Sequence, residues 1–241
     1  MMKKTITFLL IVLMLFALSA CINQTPQAPQ ATQEPIESAV ETVNVPSETD
    51  APTEPEMPEP QNNEASGSKT LIVFFSPANS DTVDAVSGAT PRVVNVSSTE
   101  YVANLIYAKV GGDIAKIVPE TAYPLPYNDA ADQAKAENDN GARPAFTLDV
   151  NPEEYDVIFV GYPMWWYEMP MIMDTFFDTY DFSGKTIIPF NTHAGSRDGG
   201  TYRDIAGLEP NATVLDGLAV SGERAGNAEG DVNDWLSKLG F

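Results

Sequence analysis

Residues 155–170 read YDVIFVGYPMWWYEMP, a short apolar run followed at once by a cluster of aromatic residues. Val157-Ile158-Phe159-Val160 consists of branched and aromatic side chains, the types that pack well on a pleated surface. We expect a strand that stops at Gly161. The loop released there carries Tyr162, Trp165, Trp166 and Tyr167, four large aromatics in six positions. In an open parallel sheet, ligands sit outside the carboxyl ends of the strands. The loop is therefore expected to hold a flat ring, free of the core.

Working outward, residues 70–75 (TLIVFF) form a continuous apolar run, as expected for a central strand buried on both faces. A long loop, 76–96, separates it from a helix opening at Ser97-Ser98-Thr99-Glu100. Ser97 and Glu100 have the spacing of a capping box. Val102, Leu105, Ile106 and Val110 recur at helical spacing, and Gly111-Gly112 ends the helix. A shorter, more polar strand is expected over 113–118, near a sheet edge. Residues 121–146 read as polar loop with a helical piece at 130–137, and 169–180 as helix. A fourth strand, 185–190, runs into the loop Asn191-Thr192-His193-Ala194-Gly195-Ser196. A short helix at 202–206, a fifth strand at 213–220 and an amphipathic helix marked by Val232, Trp235, Leu236 and Leu239 complete the chain. Alternating strands and helices predict an α/β fold: a three-layer sandwich around a five-stranded parallel sheet. Right-handed crossovers give the order 2-1-3-4-5, with a ligand crevice between the first and third strands.

Charge and composition narrow the chemistry. The 241 residues carry 34 acidic and 13 basic side chains, a net charge of −21. Nucleic acid, which demands a basic face, is not expected as a partner. A lone cysteine and a lone histidine leave no disulfide framework and no His- or Cys-based metal site to expect. No G-x-G-x-x-G follows a strand, so a dinucleotide fingerprint is not expected either.

The amino terminus differs in kind. Lys3 and Lys4 precede a nearly unbroken apolar run, 6–18, then Ser19 and Ala20, which is the layout of a secretory signal. The run is shorter than the roughly 20 residues a spanning helix needs. Leu18-Ser19-Ala20-Cys21 resembles the lipobox of bacterial lipoproteins. That resemblance implies cleavage after residue 20, lipid on Cys21 and an extracytoplasmic protein anchored to the cell membrane. Residues 22–68 are rich in Pro, Glu, Gln, Thr and Ser, hold nine acidic residues, and lack any aromatic, Lys or Arg. Such composition buries too little apolar surface to offset ordering entropy. We expect a leader (1–20), a lipidated cysteine with a disordered linker (21–68) spanning on the order of 40 Å as a coil, and one domain (69–241).

Within that domain, residues 71–76, 155–166 and 185–196 resemble the flavodoxin family. The likeness is to its bacterial branch with Gly-Tyr-Pro-x-Trp-Trp and Thr-His-x-Gly-Ser loops, here 161–166 and 192–196. It implies a flavodoxin-like sandwich that binds FMN and carries electrons between a redox protein or small molecule and its acceptor. The ring would be held by Pro163, Trp165, Trp166, Tyr167, Thr192, His193, Gly195 and Ser196, with no residue acting as catalyst. Aromatic rings stack on the flat isoalloxazine, and nearby acidic charge would lower its potential. The family's phosphate loop is here interrupted. Ser76 begins it, Ser98 and Thr99 finish it, about twenty residues intervene, and the usual Gly-Asn pair is missing. The insert includes DAVSGAT, 84–90, which resembles the target of extracytoplasmic flavin transferases and implies FMN esterified to Thr90. The alternatives are an FMN-dependent NAD(P)H or quinone oxidoreductase and a flavin-free binding module on the same fold.

Overall fold

The computed structural model describes residues 68–77, 96–124 and 126–241. The leader, Cys21, nearly all of the linker and the insert with Thr90 lie outside these residues. Among the described residues seven strands form one sheet: β1 (Thr70–Phe75), β2 (Asp113–Pro119), β3 (Phe146–Thr147), β4 (Val157–Pro163), β5 (Thr186–His193), β6 (Thr213–Val214) and β7 (Leu218–Ser221). Their order is β3-β2-β1-β4-β5-β6, with β7 also beside β5. The pairings are parallel except for β3, which lies antiparallel on β2. The five expected strands thus take the expected order, with two differences.

One difference is β3, two residues too short to leave a sequence signal, which covers part of the β2 edge. The other is the fifth strand, which is split into β6 and β7. The carbonyls of Lys185 and Ile187 accept from Thr213 and Leu215 on the outer side of β5. By alternation Pro189 faces the same side, and proline has no N–H to give the outer strand. The ladder lapses there and resumes at Phe190, which pairs with Leu218. Gly217 occupies the gap, where a Cβ would come within 2.4 Å of the Tyr202 ring.

Successive strand residues point to opposite faces, and the core divides accordingly. Leu71, Val73, Phe75, Ile158, Val160 and Ile187 face α2 (Tyr127–Asp139), α3 (Met171–Thr179) and α4 (Thr201–Leu208). Ile72, Phe74, Phe159, Ile188 and Phe190 face α1 (Ser98–Val110) and α5 (Glu229–Leu239). The helix expected at 130–137 runs from Tyr127 to Asp139; its buried face, Ala130, Ala131 and Ala134, gives a weak apolar signal from which to read its full extent.

Two expected strand ends are also moved. β4 does not stop at Gly161; it pairs with β5 through Pro163. A Cβ on Gly161 would lie 2.1 Å from the Phe190 ring, so this glycine makes room within the sheet rather than ending the strand. β5 likewise continues to His193, which places Asn191, Thr192 and His193 on the strand. At the start of α1, Ser97 accepts from the Glu100 amide at 3.1 Å. The Glu100 carboxylate pairs instead with Lys116 on β2, at 2.9 Å. Among the described residues no helix is long and apolar enough to cross a membrane.

Candidate functional site

Beyond β4 the chain makes a tight reversal. Trp165 and Glu168 bridge as an antiparallel pair, with N···O distances of 3.0 and 2.9 Å. The two residues between them, Trp166 and Tyr167, have φ of 51° and 68°. Two positive φ angles in a two-residue hairpin are the pattern usually filled by Asn-Gly. Here two bulky aromatics occupy it, and such conformations persist only where the surroundings over-determine them. The Trp166 indole donates to the Ala131 carbonyl of α2 at 2.9 Å. Gly199 closes against the turn from the other side, where a Cβ would lie 2.4 Å from the Tyr167 carbonyl oxygen. Glu168 accepts from the Asn138 side chain. The turn therefore holds its aromatics outward, Trp166 48% and Tyr167 72% exposed.

Trp165 takes a different place from the one expected. It is 3% exposed and packs edge-on against Phe75 and Tyr123, with ring centroids 5.4 and 4.9 Å away. Tyr162 is also buried, its hydroxyl 2.7 Å from that of Thr201. Of the four aromatics expected to stand free of the core, two do so and two belong to it. Pro163 is buried at the last β4–β5 pair, opposite Thr192.

A cleft of about 410 Å³ opens beside the turn, lined by Tyr127, Met164, Trp166, Tyr167, Ala194, Gly195 and Ser196. Trp166, Tyr167, Gly195 and Ser196 were expected there. Tyr127, Met164 and Ala194 were not: Tyr127 comes from the first turn of α2, which local sequence gives no reason to bring to the ends of β4 and β5. His193 is nearly buried and accepts from the Gly195 amide through Nδ1 at 2.9 Å, which shapes the turn and leaves the ring proton on Nε2.

The interrupted loop comes back together in space. The Ser76 hydroxyl donates to that of Ser97 at 2.6 Å, so the ends of the insert meet. Ser98 and Thr99 are fully buried at the start of the thirteen-residue α1. Thr99 Oγ1 lies 2.7 Å from Thr192 Oγ1, which joins this locus to the end of β5. Ser98 Oγ has no hydrogen-bond partner among the described residues, and neither does Trp165 Nε1. Buried polar groups are rarely left so without a reason. A helix start with an orphaned hydroxyl suits an anion such as phosphate, and an aromatic cleft beyond it suits a planar ring. The residues present fit a phosphorylated flavin.

The charges at the end of β5 depart from the overall acidity. Burial first, then the cations Arg197 and Arg224, hold the His193 pKa below the ordinary histidine value, with Asp198 opposing. A histidine whose folded pKa is depressed contributes stability that is present above its unfolded pKa, near 6.5, and is lost as pH falls through the folded value. The stability difference between the protein and its His193→Gln variant should therefore shrink as pH is lowered from 7.5 toward 5. Paired urea titrations at each pH would read it, and a difference that widened on acidification would contradict it.

A family model described as Flavodoxin matches residues 92–239. The chain belongs to the flavodoxin family. Among solved structures, a candidate flavoprotein of Bacteroides uniformis ATCC 8492 is similar at 28% identity and TM-score 0.56, over 71% of this chain and 99% of that one. One from Bacteroides eggerthii DSM 20697 gives 27% and 0.56, over 72% and 99%. A Lactobacillus acidophilus NCFM flavoprotein, solved in complex with FMN, shares the fold at 18% identity and TM-score 0.50, over 70% and 99%. No curated protein matches the chain. Flavodoxin membership supports a flavin cofactor and a redox function.

Proposed function

We propose that the protein is an FMN-binding electron-transfer flavoprotein, tethered outside the cell membrane by lipid on Cys21 and the linker behind it. One observation carries the flavin reading: an aromatic cleft lies at the carboxyl ends of β4 and β5, and a hydroxyl-lined helix start is joined to it through the Thr99–Thr192 contact. Bound FMN would supply reversible uptake of one or two electrons. The chain's own residues bind and orient. Trp166, Tyr167 and Tyr127 wall the ring and keep water from it. Ser98 and Thr99, with the α1 amides, hold the phosphate. Gly195 and Ser196 border the ring, His193 fixes their turn, and the buried Trp165 supports the wall from behind. An FMN-dependent oxidoreductase acting on a small molecule is a second reading. It is favoured by the cationic groups beside the cleft.

Absorbance of the purified full-length protein given FMN, before and after denaturation, tests this reading. We expect a flavin spectrum. Pigment that stays with the denatured chain, a mass increment of one FMN, and loss of both in Thr90→Ala would place the linkage at Thr90. Protein that stays colourless at saturating FMN would end the flavin reading in favour of a binding module.

A further inference from the structure

We propose that His193, Arg197 and Arg224 form an anion-binding subsite beside the cleft, which takes the carboxylate or phosphate of a small organic partner. The inference rests on the flavin reading for its role, but its two arginines are not among the residues that hold the cofactor.

The sheet brings together the segments that carry the three. His193 ends β5 and pairs in register with Ser221, the last residue of β7. Arg224 lies three residues beyond, in the short 3₁₀ turn Gly222–Asn227. Arg197 lies four residues beyond His193, directly after Ser196, which lines the cleft. The set offers donors: two guanidinium forks and an imidazole whose Nδ1 is already taken by the Gly195 amide, which leaves the Nε2 proton to give. Guanidinium matches the planar geometry of carboxylate and phosphate.

Several cations of the described domain are already engaged. Lys116 pairs with Glu100, Lys135 with Asp139, and Arg143 with Asp174 and Asp178. Lys185 donates to the Glu153 and Tyr155 carbonyls. Arg197 and Arg224 are exposed and form no ion pair among the described residues. The neighbouring acid, Asp198, accepts from the Gly200 amide at 3.2 Å; Glu223 sits beside Arg224 in sequence and is exposed.

Arg197 is also held in place by a built device. Its φ is 57°, left-handed for a residue that is not glycine. The buried Asn191 amide donates to the Arg197 carbonyl at 2.9 Å, and the Tyr202 hydroxyl donates to Asn191 Oδ1 at 2.5 Å. A fully buried amide and a tyrosine thus fix a strained backbone whose side chain pairs with nothing described. Such strain gathers at ligand clamps. In a chain of net charge −21, unpaired arginines beside a cleft also supply local attraction for an anion that the rest of the surface repels.

The test compares naphthalene-2-sulfonate with the neutral naphthalene-2-sulfonamide of nearly the same shape, by calorimetry on the full-length protein with and without FMN. The sulfonate should bind roughly tenfold tighter, about the size of one charge-assisted hydrogen bond. The preference should fall in high salt. It should be lost in Arg224→Gln, an exposed position whose replacement leaves the fold intact, and in Arg197→Asn, since asparagine tolerates the left-handed backbone. Equal affinities, or a preference unmoved by both replacements, would overturn the subsite. Flavin absorbance on the same samples separates the two readings. Yellow protein without anion preference removes the subsite alone, and colourless protein with an arginine-dependent preference removes the flavin alone.

Discussion

Replacing Ser98 with Ala and Thr99 with Val together is expected to weaken FMN binding about a hundredfold while leaving riboflavin within a factor of about two, because only FMN carries the phosphate proposed to meet those hydroxyls. Both residues are fully buried, at the first two positions of α1. The amides of a helix start already point at an anion, and the dipole favours negative charge there. Ser98 Oγ has no partner among the described residues, so its loss costs the fold little. Thr99 Oγ1 lies 2.7 Å from Thr192 Oγ1, and valine keeps its shape but not that bond. A stability loss of about 1 kcal/mol is expected from the pair. Fluorescence titration with the two flavins, alongside urea unfolding, reads both quantities. Equal weakening for FMN and riboflavin would show the helix start to be a structural cap and not a phosphate site.

Where the proposed phosphate site comes from also shows what the sequence could and could not reveal. Ser76 and Ser98 are separated by an insert of about twenty residues, yet the apolar run of β1 and the capping signal at Ser97 were each legible locally. Parallel topology then brings the end of one to the start of the other, and the Ser76–Ser97 contact at 2.6 Å is the result. Trp165 is the opposite case. Its neighbours in sequence mark a ligand loop, but its neighbours in space are Phe75 and Tyr123. Burial of an indole depends on those distant rings, and no local pattern encodes them. Tyr127 entered the cleft for the same reason, carried by a helix whose alanine face gives little periodic signal. The split fifth strand was readable in principle: Pro189 faces the outer strand and cannot donate to it. The register that decides this, however, is fixed only once β5 is paired.

Tyr167→Gly should move stability and cofactor affinity in opposite directions. The tyrosine sits at φ 68° and is 72% exposed, so its side chain contributes little packing while its backbone carries left-handed strain of about 1–2 kcal/mol. Glycine removes that strain and returns roughly 0.5–1 kcal/mol as extra freedom of the unfolded chain. The net expectation is a gain of about 0.5–1 kcal/mol, or a rise in Tm of about 1–4 °C for a domain of this size. FMN affinity should drop about tenfold, since one stacked ring is lost from the wall. Thermal unfolding without flavin isolates the first effect, and flavin titration the second. A strained turn that becomes more stable once its aromatic is removed is difficult to explain by packing, because Tyr167 packs against little. The same turn makes sense if exposure of Trp166 and Tyr167 to a ring is what the strain maintains. Should Tyr167→Gly gain stability with FMN affinity unchanged, Trp166 alone forms that side of the wall. Should it lose stability, the contact of Gly199 with the Tyr167 carbonyl, and not the φ angle, governs the turn.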